Sequence, residues 1–157
     1  MANTMWLTLN GQAQGLISAG CASVNSIGNK SQTAHRDQIM VMTVNHGMSR
    51  VQNVNHQCLT FIKPVDKSSP LLGKAITDNE TLNCEFSFYR TSPAGLNECY
   101  YAIKLINARI SRCLILSMTV RVSQKKSLSF PMSQLPGITL WREPVHTAFG
   151  MSEFIKE

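Results

Sequence analysis

The sequence predicts a mainly β fold, a barrel of antiparallel strands flanked by one short α-helix. Residues 83–90 and 99–106 alternate apolar and polar side chains, which is the period of two that half-buried strands show. The other apolar runs are short, and only one segment, near residue 70, has helical spacing. A single short helix among many short strands favours a barrel or sandwich in which the helix covers one end.

The first 62 residues contain short predicted strands separated by polar segments. The strands are residues 5–9, 15–22, 39–44 and 58–62, the second of them a small-residue strand or bulge. Asn10-Gly11 is a turn pair after the first strand. The β-branched and methionine run at residues 39–44 predicts a strand buried on both faces. The polar segments at residues 25–37 and 45–55 predict loops, the second one a mobile connection.

The helix is predicted over about residues 69–78. Ser69 is a favourable N-cap residue, and Pro70 suits the first helical position, where its missing N–H costs nothing. Four apolar residues then fall on one helical face: Leu71, Leu72, Ala75 and Ile76. Polar residues 77–80 end the segment. We therefore expect the helix to be structural, with Leu72 buried at the end of the barrel.

The second half of the chain begins with a predicted hairpin. The apolar side chains of residues 83–90 lie on one face, and residues 91–95 supply the Ser, Pro and Gly that turns favour. The returning strand covers residues 99–106, and residues 109–122 predict a continuing strand. Beyond residue 122 the pattern loosens, because prolines interrupt each remaining apolar run.

Composition indicates a single domain over residues 1–157, with a net charge of +6 and only 15% charged residues. Few charges are expected where other subunits cover the surface, and equally in a weakly charged monomer. The basic residues are scattered, with Lys125-Lys126 as the longest cluster, so nucleic-acid binding is not expected. The alternative function is a small basic β-barrel that binds single-stranded nucleic acid, with Tyr89, Tyr100 and Tyr101 as stacking side chains.

The chain shows no signal peptide and no apolar run of transmembrane length, so we expect it to be made and folded in the cytosol without membrane insertion. Its five cysteines are odd in number and widely spaced, and no Cys-x-x-Cys occurs. This spacing argues against a disulfide framework or a zinc site. Most of the cysteines are expected to be small buried residues.

No pattern in the sequence predicts catalysis. His35-Arg36-Asp37 matches the start of a kinase catalytic loop, but Met42 stands where that loop needs Asn, and no Gly-rich loop occurs. Ser68-Ser69 lacks the Gly-x-Ser-x-Gly elbow of hydrolases. The four histidines lack metal-ligand spacing and are expected in loops: His35, His46, His56 and His146. We therefore predict no catalytic, cofactor-binding or metal-binding residue and no enzymatic activity.

Five motifs in order resemble the hemolysin-coregulated protein (Hcp) family of bacterial type VI secretion. They are Gly-Gln-x-Gln-Gly at residues 11–15, Ser-Ile-Gly-Asn at 26–29, the segment 35–41, Lys-Pro-Val-Asp-Lys-Ser-Ser-Pro-Leu-Leu at 63–72, and Phe-Tyr-Arg-Thr-Ser at 88–92. No single motif is specific, but the set is. The resemblance covers residues 1–111.

The resemblance implies a β-barrel flanked by a helix that assembles into homohexameric rings with a central channel. Rings of this family stack into a tube inside a contractile sheath and below a spike. They are expelled toward a target cell and can carry effectors in the lumen. The resemblance thus implies a structural tube subunit whose partners are itself, the sheath, the spike and effector cargo, and which is secreted without a signal peptide.

Residues 112–157 depart from the family pattern. Read in a shifted frame, residues 124–129 can encode Glu-Lys-Val-Ser-Phe, residues 135–140 Ile-Thr-Trp-Asp-His, and residues 144–150 Thr-Ser-Ala-Tyr-Ser-Leu-Trp. These resemble the family's C-terminal motifs in one register and in order. We therefore hypothesise a frameshift near residues 112–114, with ordinary divergence as the rival explanation and the coding DNA as the test.

A frameshift would affect ring formation. A closed ring joins each subunit to the next through two different surfaces, and both must be intact. Out-of-frame final strands would leave strand edges unpaired, and Pro131 and Pro136 would obstruct central strands. We therefore expect the chain as written to form hexamers poorly.

Overall fold

The computed structural model describes residues 3–114, 118–124 and 128–129, and these form a mainly β structure with antiparallel pairing throughout. The predicted fold class, mainly β with antiparallel strands and a short flanking helix, is confirmed. The strands are β1 Thr4–Gly11, β2 Gly15–Leu16, β3 Ile39–Val41, β4 Thr43–Asn45, β5 Met48–Arg50, β6 Val54–His56, β7 Leu59–Ile62, β8 Leu82–Thr91, β9 Asn97–Leu114, β10 Thr119–Gln124 and β11 Leu128–Ser129. The helices are α1 Val24–Ile27 and α2 Ser68–Thr77, with short 3-10 turns at Gly28–Lys30 and Thr33–His35.

Most of the strands belong to one large sheet in the order β2-β1-β8-β9-β10-β7-β4, with β3 also paired to β1 and β11 to β9. β3 pairs with β1 near one end of this order, whereas β4 pairs with β7 at the other end. Only Met42 separates β3 from β4, so residues 39–45 reach both ends of the sheet. The ladder is not continuous across Met42, and the sheet is bent toward a barrel without being closed.

The core lies inside this bent sheet and under α2. Buried side chains come from β1, β7, β8, β9 and β10, and Leu72 and Ala75 of α2 pack against them. Phe61 and Phe86 meet edge to face with their ring centroids 5.4 Å apart, a favoured aromatic geometry. The predicted hairpin of β8 and β9 is confirmed, with Phe86 opposite Ile103.

The predicted helix is present, but its capping differs from the expectation. α2 begins at Ser68 and ends at Thr77, and Lys67 already has helical backbone angles. The N-cap function belongs to Asp66, whose Oδ1 accepts the Ser68 N–H at 2.8 Å. Ser69 Oγ accepts the Asp66 N–H at 3.1 Å, which forms a reciprocal capping box. The prediction of Ser69 as N-cap and Pro70 as first helical residue is therefore wrong.

Four predictions for the first half need correction. The segment 15–22 is strand only at Gly15–Leu16, and the expected loop at 25–37 contains α1 and both 3-10 turns. The strand at 39–44 is interrupted at Met42, which is 56% exposed, so this stretch is not buried on both faces. The expected loop at 45–55 instead forms most of the antiparallel pair β5 and β6.

The structure of the second half of the chain differs from the prediction in one respect. Residues 109–122 are not one strand, because β9 extends to Leu114 and β10 returns beside it from Thr119. Val120 and Val122 of β10 are buried in the core. Apolar residues on both sides of this connection produced the appearance of one run. The prolines expected to interrupt later strands, Pro131 and Pro136, lie outside the described residues.

Candidate assembly surface

A long antiparallel arm leaves the sheet between β4 and β7, and we call residues 43–62 the ribbon. β4 pairs with β7, from Thr43 opposite Ile62 to Asn45 opposite Thr60. Farther out, β5 pairs with β6 as a separate two-stranded sheet. The Gln57 N–H donates to Gly47 O at 2.9 Å and joins the two halves at a position that we call the neck.

The neck contains one extra residue on the returning side. Asn45 lies opposite Thr60, and Gly47 is bonded to Gln57. Between these two pairs the outgoing strand advances two residues and the returning strand advances three. Such a two-against-one step is a β-bulge, which bends the strand and increases its twist. A Cβ at Gly47 would lie 2.5 Å from Gln57 Oε1, so the neck is packed closely at this glycine. The outer half is thereby directed away from the main sheet.

The outer half of the ribbon exposes apolar side chains. Every residue of β5 and β6 is exposed. Met48 is 59% exposed, Val51 96% and Val54 42%. A hairpin of two strands is marginally stable alone in water, and clustered exposed apolar side chains mark contact sites. The ribbon is therefore the candidate surface through which this chain contacts another protein.

Two histidines lie at the neck of the ribbon. His46 precedes β5, and His56 is the last residue of β6. Their rings stack with centroids 5.9 Å apart and planes inclined by 16°. Desolvation by burial, together with the charge of His56, lowers the pKa of His46 below its usual value. The sequence analysis predicted that both histidines lie in a loop. Recognising the hairpin would have paired them, because it brings residues ten apart next to each other across its two strands.

The 63–72 motif anchors the inner end of the ribbon to the helix. Lys63 follows β7, and its Nζ lies 2.7 Å from Asp66 Oδ1 with both side chains fully buried. The same Nζ donates to Pro64 O at 2.9 Å and to Ser69 Oγ at 3.1 Å. All three donors of the ammonium group are thus occupied. The motif holds α2 against the end of the sheet, and Lys63 is not available as a base for Ser69.

The 11–15 motif is held by Glu80, which follows the end of α2. Glu80 Oε1 accepts the N–H groups of Ala13 at 2.7 Å and Gln14 at 2.8 Å. Gln14 Nε2 donates to Glu80 Oε2 at 2.5 Å and to Leu71 O at 3.2 Å. A Cβ at Gly11 would collide with Glu80 Oε1. Gly11 and Gln14 of this motif therefore hold the buried Glu80 carboxylate in place.

The 35–41 motif is also structural. The His35 ring stacks on Trp6 with centroids 4.4 Å apart, and the Tyr89 ring meets it edge-on at 4.8 Å. His35 Nδ1 lies 2.6 Å from Gln38 Oε1. Asp37 Oδ1 accepts the Gly20 N–H at 2.8 Å. The resemblance of His35-Arg36-Asp37 to a kinase loop thus reflects packing and loop closure rather than catalysis.

The cysteines are all free thiols, as expected from their spacing. Cys21 and Cys84 are buried, Cys113 is intermediate, and Cys58 and Cys99 are exposed, so the expectation that most are buried is wrong. Desolvation by burial raises the pKa of Cys21 to about 11 and that of Cys84 to about 12. These two therefore remain protonated near neutral pH, and a thiol is a poor nucleophile.

Other classes of site were sought in the described part of the chain. Within residues 3–114, 118–124 and 128–129, no three His, Cys, Asp or Glu side chains form a group that could hold a metal ion. No helix in those ranges is long and apolar enough to span a membrane. His146 lies outside them.

The three tyrosines of the alternative function make different contacts. Tyr89 packs edge-on against His35, and Tyr101 packs against Phe88 with centroids 5.3 Å apart. Tyr100 lies beneath the Arg90 guanidinium, 5.2 Å from its ring centroid. None of these contacts favours nucleic-acid binding, which stays a hypothesis. Salt-dependent binding to a single-stranded oligonucleotide would test it.

Comparison with known proteins identifies the family. A sequence model of the family described as "Type VI secretion system effector, Hcp" matches residues 6–135. The match extends past residue 111, where divergence was expected to begin, and that boundary stays a prediction.

Two relatives and one solved structure support the same family assignment. The "Major exported protein" of Pseudomonas aeruginosa is 40% identical over 121 residues, which are 70% of each chain. The "Uncharacterized protein YhhZ" of Escherichia coli K12 is 39% identical over 118 residues, 71% of this chain, and the present chain spans 29% of that relative. The solved structure of "Secreted protein Hcp3 from Pseudomonas aeruginosa" has a TM-score of 0.72 and 35% identity, covering 79% of this chain and 87% of its own. The chain therefore belongs to the Hcp family, the structural tube proteins of type VI secretion.

Proposed function

We propose that this chain is a non-enzymatic subunit of the type VI secretion tube, in which homohexameric rings stack and are expelled through the type VI apparatus. Its partners are further copies of itself, the surrounding sheath, the spike, and effectors carried in the ring lumen. Family membership supports the tube role. The observation that carries self-assembly is the ribbon, an arm of described residues whose apolar side chains are left in water.

The ribbon suits contact with a second copy of the chain. Within the described residues, β5 and β6 pair with each other and not with the strands of the main sheet, so the arm gains little stability from the core. Arg50 is the only formally charged side chain in residues 43–62, and the surface is otherwise polar and apolar. The apolar side chains of such a weakly charged arm are stabilised by burial against a similar surface. We place its partner on the neighbouring copy along the tube.

Substitution at the tip of the ribbon tests this contact. We expect Val51→Ser to weaken self-association roughly tenfold, because burying a valine contributes ~1.5 kcal/mol or more. Leu96→Ser is the matched control, since Leu96 is 69% exposed at the turn between β8 and β9, away from the ribbon. The measurement is the concentration dependence of sedimentation. Equal self-association of Val51→Ser and the unsubstituted chain would count against the ribbon as a contact.

Export requires a separate experiment in cells. A tagged chain in a bacterium with an active type VI apparatus should appear in the medium, and deletion of the sheath gene should abolish that appearance. A cytosolic marker protein controls for lysis. Sheath-independent release equal to that of the marker would contradict the proposed route.

A further inference from the structure

The contact between His46 and His56 lies at the only described junction between the main sheet and the outer ribbon. Met48 is directly opposite His56, and His46 is two residues before Met48. The two histidines are therefore diagonal neighbours on one face, close enough for aromatic rings to meet. The neck bond from Gln57 N–H to Gly47 O joins the two residues that directly follow the histidines in the chain. Any force between the two rings acts directly on this neck.

Charged groups around the pair do not offset a positive charge on it. Among the described residues, three further ionisable groups lie on the ribbon or on the strand paired with β7: Arg50 near the tip, Cys58 after β6, and Arg121 on β10. Two of these are cations and none is a carboxylate. β4 and β7 contain no ionisable side chain. Two protonated rings at the neck would therefore repel each other with no anion among these described neighbours.

We propose that His46 and His56 form an acid-sensitive joint that releases the outer ribbon when both rings are protonated. In their neutral form the two rings stack and support the neck. Two unit charges about 6 Å apart repel by an amount that corresponds to roughly threefold in an equilibrium in bulk water and roughly a hundredfold near a protein surface. His46 is half-buried and His56 is exposed, so we expect an effect of about tenfold, between these limits. Acid thus loosens the ribbon before it affects the main sheet.

The direction follows from linkage. Desolvation and the charge of His56 lower the pKa of His46 below 6.5 in the folded ribbon. The unfolded ribbon therefore binds the proton more readily than the folded one. The free energy by which this site stabilises the folded ribbon is therefore largest above pH 6.5, and it decreases as the pH falls below that value. The joint itself depends only on the ribbon geometry, whereas its effect on contacts between copies rests on the proposed function.

Amide hydrogen exchange at pH 7.5 and pH 5.0, corrected for intrinsic rates, tests the joint. In the full chain and in a Cys58→Ser control, the Gln57 amide should lose about tenfold in protection at pH 5.0. Amides of β1 paired with β8 should keep theirs. In the His46→Gln, His56→Gln double variant the Gln57 protection should be equal at both pH values. Equal protection in the unsubstituted chain, or the same loss in the double variant, would overturn the proposal.

Histidine titration by NMR serves as a second readout if the double variant does not form the ribbon. The His46 titration midpoint should rise in a His56→Gln variant, since one of the two causes of its low pKa is removed. An unmoved midpoint would overturn the coupling between the rings. Loss of ribbon protection without any change in self-association would count against the proposed assembly function and not against the joint.

Discussion

Lys63 and Asp66 form an ion pair with 2.7 Å between Nζ and Oδ1, and both side chains are completely buried. The pair lies where β7 passes into α2, so it connects the ribbon to the helix. Asp66 Oδ1 also accepts the Ser68 N–H at 2.8 Å and the Ser68 hydroxyl at 2.5 Å. A buried charge is tolerated when it is paired and hydrogen-bonded. Here Oδ1 accepts all of these bonds, and Oδ2 is buried without a hydrogen-bond partner among the described residues.

Removal of either partner is expected to be strongly destabilising. Asp66→Ala and Lys63→Ala should each lower the free energy of unfolding by about 3–5 kcal/mol, because each leaves the other charge buried and unpaired. The Lys63→Ala, Asp66→Ala double variant should lose less free energy of unfolding than the sum of the losses in the two single variants. Urea denaturation of the four proteins measures the coupling. Lys74→Ala, which breaks the exposed pair with Asp78, is the control and should leave the unfolding midpoint nearly unchanged.

Leu72 should be essential to helix packing. It is 1% exposed and belongs to the core, as predicted from its helical face. Leu72→Ala should cost about 2–5 kcal/mol through lost burial and the cavity left behind. Thermal unfolding followed by circular dichroism is the measurement. An unchanged melting temperature would contradict the packing of α2.

Ser69 contributes through its hydroxyl group rather than as the N-cap residue. Its Oγ accepts from the Asp66 N–H and from Lys63 Nζ, each at 3.1 Å. Ser69→Ala should therefore cost about 1–3 kcal/mol, because two buried donors lose an acceptor. Ser69→Thr keeps the oxygen and is the matched variant for urea denaturation. Equal loss in both variants would show that shape, not the hydroxyl, matters at this position.

The fold class was predictable because its signals are local. Apolar alternation identified β8 and the middle of β9, and helical spacing identified α2, each from neighbouring residues alone. The ribbon could not be found in this way, since residues 45–55 lack apolar alternation and their pairing depends on β4 and β7 beside them. The N-cap was missed for a similar reason. Asp66 and Ser69 both suit that position, and the buried ammonium of Lys63 favours Asp66.

The candidate assembly surface was not predictable residue by residue. The resemblance to the family singled out five motifs. In the structure, the motifs at residues 11–15, 35–41 and 63–72 hold the subunit together. The candidate assembly surface lies instead on the ribbon. Exposure depends on where the bulge at the neck directs the chain, and no local pattern at Gly47 or Gln57 specifies that direction.

Glu80 should make stability depend on pH. Desolvation by burial raises its pKa, but the hydrogen bonds from Gln14 and Ala13 outweigh this and lower it below 4.5. The stabilisation is therefore present above pH 4.5 and is lost as the pH falls through the folded-state pKa. Glu80→Gln should be less stable than the unsubstituted chain at pH 7, and the difference should shrink toward pH 3. Urea denaturation across this range measures it, and parallel pH profiles would contradict the role of the carboxylate.

The mass of the purified chain in solution tests the central claim, a ring-forming tube subunit, most directly. Light scattering should compare the chain as written with a version in which residues 113–157 are replaced by the alternative reading frame. The account predicts six times the subunit mass for the restored version. The chain as written, whose subunit mass is 17.4 kDa, should form hexamers poorly. A monodisperse hexamer of the chain as written would support ring formation. It would contradict the expectation that the frameshift impairs assembly. A monomer in both versions, at all concentrations, would contradict the assignment of this chain as a tube subunit.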